Sequence, residues 1–106
     1  MKIIAFERYT AQEFIDTFGD FYKIYDEVLR LRNMRTQNKS VYMCLAEYYE
    51  DNKLVDVYNT GYVITRYTHD TRNNWAVFDG DKAVHITPDF YDAKLFVINA
   101  TKDIEY

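Results

Sequence analysis

With 106 residues, 17 acidic and 13 basic side chains and a formal net charge of −4, the chain is long enough for one core and is predicted to form a single domain over residues 1–106. No apolar run approaches the ~20 residues of a membrane helix, and the lone cysteine, Cys44, cannot form an internal disulfide, so we expect a soluble cytoplasmic protein. The negative charge also argues against direct binding to a nucleic-acid backbone.

The N-terminal third predicts a short strand and then one long helix. Residues 2–7 are rich in β-prone apolar side chains. Thr10 and Glu13 have the spacing of a capping box, which begins a helix. The apolar residues that follow recur every three or four positions and predict an amphipathic helix of about 20 residues; they are Phe14, Phe18, Phe21, Tyr25 and Val28. Gly19 is expected to weaken this helix by about 1 kcal/mol without ending it.

The opposite side of the predicted helix carries an acidic stripe. It consists of Glu13, Asp16, Asp20 and Glu27. At 1.5 Å per residue the stripe would span about 21 Å and imitate the electric field of a short stretch of DNA, as a nucleic-acid mimic does. The alternative is an ordinary solvated helix face. The basic segment Arg30–Lys39 follows, and it either complements the helix dipole or binds an anion.

The remaining two-thirds predict an antiparallel sheet. The strand-like segments are residues 41–49, 54–58, 62–67, 75–78 and 83–86. Asp79-Gly80 between the last two predicts a tight hairpin. Residues 88–99 fit either a strand or a helix. The predicted fold class is therefore α+β, with one long N-terminal amphipathic helix packed on an antiparallel β-sheet.

The sequence carries no catalytic, cofactor or metal-binding motif. Cys44 lies in an apolar strand, where a packed thiol is expected rather than a nucleophile. His69 and His85 lack the ligand spacing of a zinc site, and the three glycines are too far apart for a phosphate loop. We therefore predict a protein that is not an enzyme, with no catalytic residues, cofactor or metal.

Eleven tyrosines are more than a small core is expected to absorb, and they indicate a recognition surface. They lie among acidic residues in Glu47–Asp51, Asp56–Tyr58 and Asp89–Asp92. Tyr48 and Tyr49 are adjacent in a predicted strand and face opposite sides, so at least one ring is expected to be exposed. Carboxylates beside tyrosine rings suit a basic groove on another protein, because acids pair with Arg and Lys while rings stack on guanidinium groups.

These features predict a small inhibitor that binds a host protein and blocks the nucleic-acid-binding surface of a nuclease. In size, charge and compactness the chain resembles small acidic inhibitors of phages and mobile elements, such as anti-CRISPR and anti-restriction proteins. The resemblance includes no shared motif, so it assigns no functional residues. The candidate partner-binding residues are Asp16, Asp20, Glu27, Tyr48, Tyr49, Glu50 and Asp51.

Two other functions fit the same sequence. An antitoxin or immunity protein would be equally small and acidic. A module for single-stranded nucleic acid or nucleotides would stack bases on aromatic side chains of the sheet. The aromatic residues that would form this platform are Tyr58, Tyr62, Tyr67 and Trp75.

Overall fold

The computed structural model describes residues 1–19, 28, 41–67 and 72–103. Its elements are β1 (Lys2–Tyr9), α1 (Ala11–Phe18), β2 (Val41–Glu50), β3 (Lys53–Arg66), β4 (Trp75–Asp79), β5 (Lys82–Thr87) and α2 (Phe90–Ala100). The five strands form one antiparallel sheet in the order β1-β2-β3-β4-β5, so each strand pairs with its neighbour in the chain. The hairpin predicted at Asp79-Gly80 is confirmed, with Asp79 opposite Lys82 and Gly80 at φ 64°.

The two helices cover opposite faces of the sheet. The core under α1 comprises Ala11, Phe14, Val28, Val41, Met43, Val63, Ala76 and Phe78. The core under α2 comprises Tyr42, Cys44, Ile64, Val77, Ala93 and Val97. A strand that is covered on both faces needs apolar side chains at successive positions instead of alternate ones. This explains why Val41 to Cys44 are all buried in β2 and why the sequence shows no alternation there.

The long N-terminal helix predicted from the sequence is wrong. The capping box is present, since Thr10 Oγ1 accepts a hydrogen bond from the N–H of Glu13 at 3.0 Å and Glu13 Oε1 accepts one from the N–H of Thr10 at 2.9 Å. However, α1 ends after eight residues at Phe18, where Gly19 takes φ 59° and ψ −139°. Glycine adopts a positive φ without the clash that a Cβ would cause, so Gly19 ends this helix where the sequence predicted only a weakening.

Over the described residues the fold is therefore mostly sheet with two short helices, and the predicted fold class of one long N-terminal amphipathic helix on an antiparallel β-sheet is corrected accordingly. Residues 20–27 and 29–40 lie outside the described residues, and so does most of the predicted helix beyond Gly19. Residues 88–99, for which strand and helix were both open, belong largely to α2. Within the described residues, no helix combines the length and the apolar character that a membrane span requires.

The sheet narrows toward the turn between β2 and β3. β2 pairs with β3 out to Glu50 and Lys53, whereas β4 pairs with β3 only over Tyr62–Arg66. A two-residue turn closes the hairpin, with Asp51 at φ 51° and Asn52 at φ 65°. Positive φ at both central positions is the type I′ geometry that matches the twist of paired strands. We call residues Glu47–Val57, which flank and include this turn, the distal hairpin.

A bulge separates the two halves of β3. Three residues, Thr60–Tyr62, lie opposite the single residue Cys44 of β2. Thr60 Oγ1 donates a hydrogen bond to the backbone oxygen of Cys44 at 2.6 Å, and Gly61 takes φ 85°. Such a bulge bends a strand and increases its local twist. The bulge thus marks the point where β3 stops pairing with β4 and continues into the distal hairpin.

Candidate functional site

Four of the candidate residues predicted from the sequence lie together on the distal hairpin: Tyr48, Tyr49, Glu50 and Asp51. Glu50 and Asp51 are exposed at the turn. Tyr48 is only 7% exposed and packs edge-on against Tyr58, with the ring centroids 5.8 Å apart. Tyr49 is half-buried, so the prediction that at least one of these two rings is exposed is wrong. Tyr48 therefore packs the hairpin, while the next three residues remain accessible.

The face of the distal hairpin that holds Tyr49 mixes acidic and apolar side chains. Glu47 of β2 lies between Ile3 of β1 and Val57 of β3, which are 44% and 42% exposed. The Tyr49 hydroxyl donates a hydrogen bond to Glu47 Oε1 at 3.0 Å. This bond stabilises the protonated phenol and is the main reason that the pKa of Tyr49 lies above its usual value of 10.0. A carboxylate thus lies within an exposed apolar surface, and a tyrosine hydroxyl holds it in place.

The distal hairpin is strongly negative. Its own residues contain four carboxylates, those of Glu47, Glu50, Asp51 and Asp56, against the single positive charge of Lys53, which leaves a formal charge of −3. One further positive charge lies beside it, because the N-terminal ammonium of Met1 donates a hydrogen bond to the backbone oxygen of Tyr49 at 2.8 Å. Three further side chains on it are large, apolar and exposed: Leu54 at 50%, Val55 at 46% and Val57 at 42%. Apolar exposure concentrated beside one sign of charge is typical of an interaction surface.

The outer side of β3 is open along Lys53–Val57, a segment that we call the open edge. Its inner side pairs with β2. On its outer side no strand among the described residues pairs with it, since the pairing of β4 starts at Tyr62. One backbone donor is satisfied locally, because the N–H of Val57 donates to Asp56 Oδ1 at 2.9 Å. An open strand edge presents backbone hydrogen-bonding groups to any chain that approaches it.

The acidic stripe predicted along one helix does not exist as a single helical surface, because α1 ends at Phe18. Asp20 and Glu27 lie outside the described residues. Glu13 is used in the capping box, and the exposed Asp16 accepts a hydrogen bond from Gln12 Nε2 at 2.8 Å. α1 starts next to the end of the sheet where Tyr9 pairs with Val41, about 30 Å from Glu50 at ~3.3 Å per strand residue. Asp16 and the distal hairpin therefore belong to different surfaces.

The aromatic side chains proposed as a stacking platform face both sides of the sheet. Tyr62 and Trp75 pack against the core under α2, whereas Tyr67 packs against the core under α1. The Trp75 ring lies 4.7 Å from that of Phe90, and the guanidinium of Arg66 lies 5.0 Å from the Trp75 ring centroid. Tyr58, the fourth of these residues, is 49% exposed and packs on Tyr48 instead. The four rings therefore do not form one exposed platform for bases.

The third group of acids and tyrosines, Asp89–Asp92, mainly has structural roles. Asp89 Oδ1 caps α2 by accepting from the N–H of Tyr91 at 3.0 Å. Asp92 Oδ2 lies 2.8 Å from Nε2 of His85, and this hydrogen bond is the main cause that lowers the pKa of Asp92 below its usual 3.8. The His85 ring also stacks on Phe96, with centroids 4.5 Å apart. The sequence analysis missed this link between β5 and α2, whose only sequence signal is a His seven residues before an Asp.

Cys44 is placed as a packed thiol. It is 0% exposed, and burial raises the pKa of its thiol to about 12, which keeps the nucleophilic thiolate from forming near neutral pH. Among the described residues, no three His, Cys, Asp or Glu side chains are grouped as metal ligands.

No protein-family model matches the chain, and neither curated proteins nor solved structures include a significant match. Within the described residues, the distal hairpin combines more features of an interaction surface than the other candidates: negative charge, exposed apolar side chains and an open strand edge.

Proposed function

We propose that this chain is a small protein-binding inhibitor whose distal hairpin docks in a basic, nucleic-acid-binding groove of a host nuclease. The observation that carries the proposal is the coincidence, on one hairpin, of a formal charge of −3 with three exposed apolar side chains. A hairpin that needed only to be solvated would have polar side chains where Leu54, Val55 and Val57 lie.

The two kinds of side chain have different roles in binding. Carboxylates at the turn steer a basic partner and raise the rate of encounter, an effect that salt screens. Apolar contacts supply affinity once water is excluded, with little dependence on salt. Glu50 and Asp51 lie at the tip, where they meet a groove first, and Leu54 and Val57 lie behind them on the strand.

The target chemistry follows from the charge. A groove that binds a nucleic-acid backbone is lined by Arg and Lys, and these side chains pair with carboxylates as they do with phosphates. Tyr49 adds an aromatic ring beside Glu47 on which a guanidinium can stack. An inhibitor of this kind acts in the cytoplasm, as anti-CRISPR and anti-restriction proteins do, and competes with nucleic acid for the groove.

Capture from a host lysate with the tagged protein, at about 0.05 M and about 0.5 M salt, tests the proposal. The test variant is Glu50→Gln with Asp51→Asn, and the matched control is Asp81→Asn with Asp103→Asn. Both doubles remove two exposed carboxylates, and neither control acid belongs to the distal hairpin. We expect one nuclease to be retained at low salt, to be lost at high salt, and to bind the hairpin double about tenfold more weakly than the control double.

The captured nuclease is then assayed for binding to its nucleic acid with increasing amounts of the chain. Competitive loss of nucleic-acid binding supports the inhibitor. A partner that binds no nucleic acid would contradict it and favour an immunity protein. Equal weakening by the two doubles would mean that the distal hairpin is not the docking surface.

A further inference from the structure

We infer that the open edge of β3, Lys53–Val57, binds an extended basic segment of the partner as an added antiparallel or parallel strand. The inference builds on the proposed function, because it specifies how the same hairpin holds its partner. In this binding mode backbone hydrogen bonds supply part of the affinity, and the side chains of alternate residues supply specificity.

The strand is held ready for such pairing. β2 pairs with β3 at Tyr48 opposite Asp56, Tyr49 opposite Leu54 and Glu50 opposite Lys53, with Val55 as a bulge between the first two pairs, so the open edge is fixed on its inner side on either side of that bulge. The type I′ turn at Asp51 and Asn52 keeps the two strands aligned. Because the segment is already extended, a partner strand would gain backbone hydrogen bonds without paying to order this chain.

The outer side of the segment is accessible. Lys53, Leu54, Val55 and Val57 are all exposed, and Asp56 is half-buried. β4 first pairs with β3 beyond the bulge at Thr60–Tyr62, and no other described strand takes its place next to the open edge. The open edge therefore combines backbone groups with side chains on both faces that an added strand would contact.

A second copy of this chain is a poor occupant. Edge-to-edge pairing of two distal hairpins would bring two groups of −3 formal charge together. Lys53 and Asp56 also place charges on the edge, which is how natural proteins limit the self-pairing of exposed strands. A segment in which basic side chains alternate with apolar ones fits better, because one of its bases would meet Asp56 on the edge, the acids Glu50 and Asp51 at the tip would attract it through their field, and its apolar side chains would cover Val57 and Leu54.

The test uses a blocked seven-residue peptide of alternating lysine and valine, titrated into the full chain labelled with ¹⁵N. A second peptide has the same sequence with an N-methyl group on every residue, which removes the backbone donors along both sides and preserves the charge. We expect the first peptide to shift the amide signals of Lys53–Val57 and to slow their hydrogen exchange. The N-methylated peptide is expected to bind at least tenfold more weakly.

Two protein variants separate the edge from general charge. Val57→Lys adds a positive charge beside the open edge, and Leu95→Lys adds the same charge on α2 at a similar exposure, 39% against 42%. We expect Val57→Lys to weaken the first peptide at least tenfold and Leu95→Lys to weaken it less than threefold. Equal weakening by the two variants would overturn the assigned edge.

The outcomes also distinguish this inference from the proposed function. Equal binding of both peptides, with loss in the Glu50→Gln, Asp51→Asn double, would overturn strand addition and leave the acidic docking surface intact. Peptide binding that persists in that double and does not depend on salt would contradict the proposed function while keeping the edge. The absence of any shift at Lys53–Val57 up to millimolar peptide would overturn strand addition.

Discussion

The two halves of β3 carry similar apolar residues in opposite environments. Val63, Ile64 and Thr65 are at most 1% exposed, whereas Leu54 and Val57 are 50% and 42% exposed. The buried half pairs with strands on both sides and lies between the cores under α1 and α2. The other half pairs with β2 alone among the described strands. The difference therefore comes from the surrounding layers and not from the side chains themselves.

The apolar side chains of β3 therefore occur in two environments, one exposed to water and one in the core. On the distal side of the bulge at Thr60–Tyr62, the apolar side chains of β3 lie beside carboxylates and face water. After the bulge they form the core. Exposed apolar residues weaken solubility, and the proposed partner would cover those that lie beside Asp56 and Glu47.

We expect the largest difference between the two halves of β3 in the free energy of unfolding, when one apolar residue in each half is truncated to alanine. Ile64→Ala removes a side chain that is 0% exposed and should lower the free energy of unfolding by about 2–5 kcal/mol through lost burial and a residual cavity. Leu54→Ala, at a site that is 50% exposed, should change it by only about 0.5 kcal/mol. Urea unfolding of both variants measures the difference.

The urea dependence of the unfolding free energy should stay the same in both variants, because neither change alters the surface exposed on unfolding by much. A loss for Leu54→Ala as large as that for Ile64→Ala would show that the distal half of β3 is part of the core. The comparison between the halves would then fail.

We expect a smaller effect, on the local stability of the distal hairpin, from a substitution in the turn that closes it. Asn52 takes φ 65°, a conformation that Asn and Gly tolerate and that a β-branched residue adopts at a cost of about 1–3 kcal/mol. Asn52→Val should therefore speed hydrogen exchange at amides of Glu47–Val57, while amides of Val63–Thr65 keep their protection. Asn52→Gly is the control and should preserve protection in both segments. Equal loss in the two segments after Asn52→Val would mean that the hairpin and the core open as one unit.

Much of the sheet could be predicted from the sequence, because most of its strands are short apolar segments separated by polar turns. The exception is β3: residues 54–58 and 62–67, predicted as two strands, belong to one strand with a bulge at Thr60–Tyr62. The Asp79-Gly80 hairpin and the capping box at Thr10 are local signals, and both are present. The prediction of a long helix is wrong at Gly19. The low helix propensity of glycine predicted only a weakening of the helix, by ~1 kcal/mol. The relevant property was instead the ability of Gly19 to take a positive φ and end the helix.

Only those features of the candidate site that depend on neighbouring residues in the sequence could be predicted. Glu50 and Asp51 lie in a polar turn, which the sequence indicates directly, and both are exposed. The open edge depends on which residues of β3 pair with β4, a long-range property that no local pattern reveals. The same holds for Asp92, whose partner His85 lies on a different element.

The smallest effect is expected at Asp92, which helps to hold α2 over the buried half of β3. The pKa of Asp92 is lowered because His85, and after it Thr87, donate hydrogen bonds to its carboxylate. A carboxyl group with a depressed folded pKa contributes stability above its unfolded value of about 3.8 and loses it as the pH falls through the folded pKa. Asp92→Asn should therefore be less stable than the wild type at pH 6, and the difference should shrink as the pH falls below about 4.

Thermal unfolding of both proteins across that pH range measures the difference, with Asp81→Asn as the control for an exposed acid. The effect should be modest because water and salt screen the exposed Asp92. It should also appear in the exchange of amides under α2 and not in those of the distal hairpin, since the bond joins α2 to β5. A gap between wild type and Asp92→Asn that widens as the pH falls would show that His85 does not favour the ionised carboxylate, and the tether between β5 and α2 would then need another cause.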